Sequence, residues 1–117
     1  MDDFLEGLDL SKLSGTPKML AEALREGAKV TLANIESQSK AIANSAKKSI
    51  AIGNDALKKV LAGSLDSQGA LQIARRAAEQ AEDLARAEGN LLVANSVSFL
   101  KRIGQTALSI IPGFFGK

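Results

Sequence analysis

The feature that most constrains this chain is a long segment, beginning at Thr16-Pro17, that contains no further proline and no cluster of polar loop residues before Gly63. Thr16 can cap a helix N-terminus, and Pro17 is tolerated in a first turn because its missing N–H is not needed there. Gly27 and Gly53 each weaken a helix by about 1 kcal/mol relative to alanine, but neither is expected to end one alone. The segment predicts one long amphipathic helix over 16–62, roughly 65 Å in length, or two helices broken near Gly53.

Apolar side chains recur at a spacing of 11 residues along this helix, as from Leu24 to Ile35 and from Ala46 to Leu57. An 11-residue repeat corresponds to about 3.67 residues per turn, so the apolar side chains form a nearly straight stripe. We predict that this assembly stripe packs against neighbouring subunits, and that its members are Leu20, Leu24, Ile35, Ile42, Ala46 and Leu57.

The clearest interruption of the helical pattern is a turn over 63–67. Gly63 can adopt the left-handed conformation that ends a helix, and Asp66 or Ser67 can cap the next one. Residues 68–117 then predict an Ala-rich helix that continues or kinks into an apolar C-terminal segment. Alternating steps of four and three place Ala70, Ala74, Ala77, Ala81, Leu84 and Leu91 on a seam. We assign the acidic residues Glu79, Glu82, Asp83 and Glu88 to a solvated face.

The C-terminal segment 91–111 contains no acidic residue, and its length approaches the roughly 20 residues that cross a bilayer. Lys101 and Arg102 lie near its middle, where each costs about 2.5–3.5 kcal/mol in a membrane, so a transmembrane span is disfavoured. An amphipathic helix at an interface is the better interpretation. The predicted membrane or partner contacts are Leu92, Phe99, Leu100, Ile103, Ile110, Phe114 and Phe115.

Two further segments carry a predicted role. Residues 1–15 form an acidic N-terminal docking arm with apolar side chains on one side of a short helix, separated from the long helix by Ser14-Gly15. Two lysine pairs that are 11 residues apart predict a basic face, which either contacts an anionic surface or only keeps the helix soluble; its members are Lys47, Lys48, Lys58 and Lys59.

The composition excludes several classes of function. The chain has no cysteine and no histidine, which excludes zinc fingers, haem or iron–sulfur ligation, thiol nucleophiles and Ser-His-Asp triads. A net charge of +2, with no aromatic residues interleaved among the basic ones, does not indicate specific nucleic-acid recognition. We therefore predict no enzyme, no catalytic or metal-binding residue, no cofactor and no small-molecule substrate.

The predicted fold is all-α: an elongated hairpin of two to three long helices with a short N-terminal arm, completed by oligomerisation. An alanine seam contributes little hydrophobic energy per residue, so two long helices bury little against each other. The hydrophobic content of 45% is nevertheless too high for a disordered chain. Other copies of the chain, other structural proteins or a hydrophobic surface such as a membrane are the expected partners.

Two stretches carry a resemblance to known families. KVTLANIESQSKAIANSAKKSIAIGNDALKKVLAGS and FLKRIGQTALSIIPGFFGK resemble the small internal, or ejection, proteins of short-tailed bacteriophages. This resemblance implies a virion protein that assembles as a ring or tube and contacts the cell envelope during DNA delivery. Alternatively, LKKVLAGSLDSQGALQIARRAAEQAEDLA is similar to phasins, which coat storage-polyester granules with amphipathic helices. That resemblance implies a cytoplasmic protein at a granule surface. A further alternative is another helical assembly protein at a membrane surface.

Overall fold

Four α-helices follow one another in the computed structural model, which describes residues 3–116. They are α1 (Gly15–Gln38), α2 (Lys40–Leu61), α3 (Ser67–Ala87) and α4 (Leu91–Phe114), and a short 3-10 helix (Leu10–Lys12) precedes them. No strand occurs within this range, so the all-α class is confirmed. The predictions that fall on Met1, Asp2 and Lys117 lie outside the described residues.

The segment expected as one helix over 16–62 is divided at Ser39, whose backbone is extended (φ −156°, ψ 114°). The Ser39 N–H donates to the Ile35 carbonyl and ends α1, while the Ser39 hydroxyl accepts from the Ile42 N–H at 3.2 Å and caps α2. Serine can replace helical hydrogen bonds in this way because its side chain competes for the backbone. Gly53, the alternative break, lies inside α2.

The break at Ser39 changes the shape of the molecule. α1 packs mainly on α4, and α3 lies between α2 and α4. The described chain measures 42 × 26 × 21 Å, with a radius of gyration of 13.8 Å, which is typical of a compact domain of this length. The elongated hairpin with a helix of roughly 65 Å is therefore not the observed arrangement; a compact four-helix bundle takes its place.

Glycine and a polar cap form each of the two later turns. Gly63 and Gly89 adopt φ values of +80° and +72°, the left-handed conformation in which glycine carries no Cβ penalty. Asp66 then accepts from the Gly69 N–H at 2.6 Å, and Asn90 accepts from the Val93 N–H at 3.2 Å. The two turns allow α2, α3 and α4 to follow each other as successive hairpins.

Alanine lines the side of α3 that faces its neighbours. Leu84 and Leu91, which the seam was predicted to include, are instead exposed. The buried seam consists of alanines alone and ends at Ala85, and such small side chains let the helix backbones approach closely. Its members are Ala70, Ala74, Ala77, Ala78, Ala81 and Ala85.

Two hydrophobic clusters form the core. The first joins the middle of the α1–α2 segment to the end of α3 and the first half of α4, with Ile35, Ile42 and Val97 almost fully buried. The second joins α2, the start of α3 and the end of α4, and residues near the N-terminus complete it.

The N-terminal residues do not form the predicted short α-helix. They fold as a turn followed by the 3-10 helix, with Leu5 at φ +64° and Gly7 at φ +82°. Leu5, Leu10 and Leu13 are buried in the second cluster. We refer to residues 3–13 as the arm. It is an integral part of the chain's own core, which the sequence did not indicate.

Candidate interaction surfaces

The predicted assembly stripe lies almost entirely inside the folded chain. Ile35, Ile42, Ala46 and Leu57 are buried in the two core clusters, and Leu24 packs against both of them. Leu20 alone of the six is exposed. The 11-residue spacing therefore marks the face that α1 and α2 turn toward α3 and α4, and these buried residues are not available to a neighbouring subunit. This placement corrects the expectation from the sequence.

The predicted contact set at the C-terminus divides into three groups. Leu100 and Ile103 are buried in the first cluster. The more C-terminal members are partly buried against the second cluster; these are Ile110, Phe114 and Phe115. Phe114 and Phe115 thus contact the protein's own core. Only Leu92 and Phe99 remain exposed, with 72% and 52% of their surface accessible.

Phe99 lies at an exposed surface between α1 and α4, and Leu92 is on the same helix. Phe99 and Val30 line the same surface depression, together with uncharged polar side chains that include Asn34 and Asn95. Leu92 lies two turns before Phe99 on the same side of α4. We define the α1–α4 patch as Val30, Leu91, Leu92 and Phe99, all of them exposed.

The α1–α4 patch is also free of charge at its centre. Residues 89–100 contain no charged side chain, and neither do residues 30–35. Charged residues make up 24% of the chain, but none lies at the centre of this patch. A partner can therefore cover the patch without burying an unpaired charge.

The four lysines of the predicted basic face have different surroundings. Lys47 pairs with Glu36, and Lys59 lies 3.0 Å from the Asp55 carboxylate. The Lys58 ammonium lies over the arm, where a Cβ added to Gly7 would be 2.7 Å from it. Lys48 is exposed. Because two of the four pair with carboxylates of the same chain, the structure does not present a uniform cationic surface.

Glu82, expected on a solvated acidic face, is buried between α3 and α4 with 5% of its surface accessible. Its Oε1 accepts from Lys101 Nζ at 3.1 Å, and its Oε2 lies 3.4 Å from Arg86. Desolvation raises the pKa of Glu82, but Lys101, Arg86 and Ser98 together outweigh it and hold the pKa below its ordinary value. Glu82 could have been placed on the buried side from its spacing, since it follows Ala78 by four residues.

Asn54 of α2 holds the arm at two points. Its Oδ1 accepts from the Leu5 N–H and its Nδ2 donates to the Asp3 carbonyl, both at 2.8 Å. Asn54 is itself buried. Neither pattern nor composition singled out this residue, because a lone asparagine in a helix reveals nothing about a partner 49 residues away.

Some classes of site are absent from the part of the chain that the structure describes. The described residues bring no three acidic side chains together in a group that could bind a metal ion. Within 3–116, no helix has the length and hydropathy that a membrane span requires. No protein-family model, no curated protein and no solved structure matches the chain significantly.

Proposed function

We propose that this protein is a non-enzymatic subunit of a larger assembly, and that the α1–α4 patch is the surface through which it contacts a second copy of itself. The observation that carries the proposal is the exposure of four large apolar side chains: Val30 and Phe99 share a surface depression, and Leu91 and Leu92 lie on the same helix as Phe99. Soluble monomers rarely group large apolar side chains on an uncharged surface, and such patches mark interaction sites.

The charge of the patch favours a second copy as the partner. A two-fold contact brings the same surface of each subunit together, so a charge near its centre would be repelled by the identical charge of the other copy. Residues 89–100 contribute no charge to such a contact, and aromatic residues such as Phe99 are typical anchors of protein interfaces.

We further propose that this assembly is a virion component, in line with the resemblance of residues 29–64 and 99–117 to internal proteins of short-tailed phages. In that setting the patch serves the contacts between subunits. The phasin-like alternative needs a broad apolar surface, whereas most apolar residues of the helices are buried against one another. A gene neighbourhood with portal and tail genes supports the virion assignment; a neighbouring polyester synthase gene contradicts it.

Sedimentation velocity on the full chain over a concentration series tests the patch. We expect concentration-dependent dimers or larger species in the wild type and a clear loss of them in the double variant Leu92→Ser/Phe99→Ser. The matched control is Ile73→Ser, which removes an exposed apolar side chain of α3 outside the patch. Association that is unchanged in the double variant, or a wild type that remains monomeric throughout, contradicts the proposal.

Vesicle flotation with the same proteins separates a protein partner from a lipid one. Wild-type protein that stays monomeric and floats with vesicles, and a double variant that does not float, would identify the patch as a lipid-binding surface and overturn its assignment as a subunit contact.

A further inference from the structure

The arm is joined to the bundle in a way that differs from every other helix start in the described chain. Asp9, Ser39, Asp66 and Asn90 each cap the helix that follows with a side-chain hydrogen bond. Ser14, before α1, makes no such bond within the described residues. The direction of the chain at this joint can therefore change without breaking a cap.

The joint between the arm and α1, residues 13–15, has an extended backbone at its first two residues. Leu13 and Ser14 are both extended, at φ −96°, ψ 156° and φ −146°, ψ 163°. Gly15 follows at φ +65°, with no atom of the described chain within 4 Å of the place where a Cβ would stand. Short joints of this kind favour the exchange of an element between copies.

The surface beneath the arm is specific for it. We define the arm site as the surface of the bundle that the arm covers, which includes the part of α1 that packs on the 3-10 helix and the part of α2 where Asn54 supplies both polar contacts. Leu5 is 1% exposed there and, with Asn54 and Gly104, borders a cavity of about 30 Å³. This site fits the arm of any copy of the chain, because every copy carries the same arm.

Charge also draws the arm toward α2. The arm carries Asp3, Glu6 and Asp9 against a single Lys12, whereas residues 17–63 carry eight basic and four acidic side chains. Lys58 of α2 lies directly over the arm at Gly7. This attraction acts equally on an arm that belongs to the same chain and on one that belongs to another.

We propose that the arm of one copy docks in the arm site of a second copy, so that subunits are linked by arm exchange. The proposal rests on the assembly function proposed above and gives it a second contact. A reciprocal exchange closes a dimer, whereas a one-way exchange leaves one arm and one site open and can add further copies into a ring or a row.

Concentration controls the exchange. An arm on a short tether sees its own site at an effective concentration on the order of millimolar, so a dilute chain keeps its own arm. Exchange becomes dominant when subunits are crowded or already held together by another surface. The α1–α4 patch is such a surface.

Native mass spectrometry of a mixture of ¹⁵N-labelled and unlabelled full-length protein tests the proposal at high concentration. We expect mixed dimers in the wild type. Leu5→Asp changes the arm but leaves the site intact, and Asn54→Leu changes the site but leaves the arm intact. Each should lower the dimer population, because the arm then no longer docks stably in any site, whether of its own chain or of another.

The two variants should complement each other when mixed. The intact arm of the Asn54→Leu chain then meets the intact site of the Leu5→Asp chain, and heterodimers of one labelled and one unlabelled variant should exceed either homodimer. Circular dichroism verifies that each variant is helical. If Leu5→Asp does not fold, the comparison of Asn54→Leu with the wild type decides, since leucine preserves the volume and raises helix propensity.

Dimers that persist unchanged in Asn54→Leu and disappear in Leu92→Ser/Phe99→Ser would overturn arm exchange and leave the patch assignment standing. Dimers that disappear only in the arm and site variants would support exchange and overturn the patch. A wild type that forms no mixed dimer even at about millimolar concentration overturns both.

Discussion

Replacing Lys101 with methionine removes the cation that pairs, between α3 and α4, with the buried Glu82 and, at 3.7 Å, with the more exposed Glu79. Glu82 has 7% of its side-chain surface accessible and Lys101 has 21%, and their charged atoms are 3.1 Å apart. Removing one partner of a buried pair costs about 3–5 kcal/mol, because a charge is left without compensation in a poorly solvated site. Arg86 remains 3.4 Å from the other carboxylate oxygen, so we expect the lower end of that range, about 3 kcal/mol. Such a loss is a large part of a typical total stability of about 5–15 kcal/mol.

Urea unfolding followed by the helical circular dichroism signal measures this loss as a shift of midpoint at constant slope. The matched control is Lys59→Met, because Lys59 lies 3.0 Å from Asp55 but both side chains are more than half exposed. That pair should contribute less than about 1 kcal/mol. The double variant Glu82→Leu/Lys101→Met should recover most of the lost stability, since no buried charge remains. If Lys101→Met costs no more than the control, or if the double variant is as unstable as the single one, the pair is not the buried contact that we describe.

Three further predictions concern pH, a glycine and the stripe. Desolvation raises the pKa of Glu82, but the opposing effect of Lys101, Arg86 and Ser98 is larger, so the folded pKa lies below 4.5. The carboxylate therefore stabilises the fold above pH 4.5, and this contribution is lost as the pH falls through the folded pKa. Urea midpoints of the wild type should thus fall more steeply across that range than those of Glu82→Gln, and parallel curves would refute the assignment. Gly104→Ala should raise the unfolding free energy by about 0.5–1 kcal/mol, because its added Cβ meets no described atom within 4 Å, and a lower thermal midpoint would contradict this. Ile35→Asp should abolish the helical signal, because the charge would be buried in the first cluster; a folded variant that only fails to associate would return Ile35 to a subunit interface.

Local chemistry allowed the helical class and the turn over 63–67 to be predicted. Glycine followed by a short polar side chain indicates where one helix ends and another begins, and Gly63 with Asp66 follows this rule. The alanine steps along α3 likewise predicted a seam, although the buried seam also includes Ala78 and ends at Ala85 instead of continuing through Leu84 and Leu91.

The break at Ser39 could not be predicted in the same way. Serine lowers helix propensity only by a few tenths of a kcal/mol, so a single serine in a long helical pattern is a weak signal. The packing of α1 on α4 stabilises the broken form, and this tertiary contact, which the local sequence does not show, determines that the helix ends at Ser39. Once the break is in place, the 11-residue stripe no longer needs another subunit to cover it, because α3 and α4 of the same chain do so.

The candidate surface was predicted only in part, because the sequence shows that α4 is apolar on a broad side but not which residues its neighbours cover. Leu92 and Phe99 were recognised as contacts, together with Leu100 and Ile103, which belong to the core. The two hydrogen bonds of Asn54 to the arm could not be predicted, because Asp3 and Leu5 are far from Asn54 in sequence and no local pattern indicates the contact.

The alanine seam of α3 has a consequence for how uniquely its neighbours are aligned. A row of identical small side chains looks the same after a shift of one turn, about 5.4 Å, so packing alone distinguishes poorly between neighbouring registers. The polar contacts to α4 remove this degeneracy: Lys101 meets Glu82, and Gln105 donates to the Leu71 carbonyl at 3.1 Å. A variant with apolar residues in place of Glu82 and Lys101 would then keep the stability of the fold but would populate more than one register of α3 against α4. Doubled amide resonances from α3 and α4 would reveal the second register.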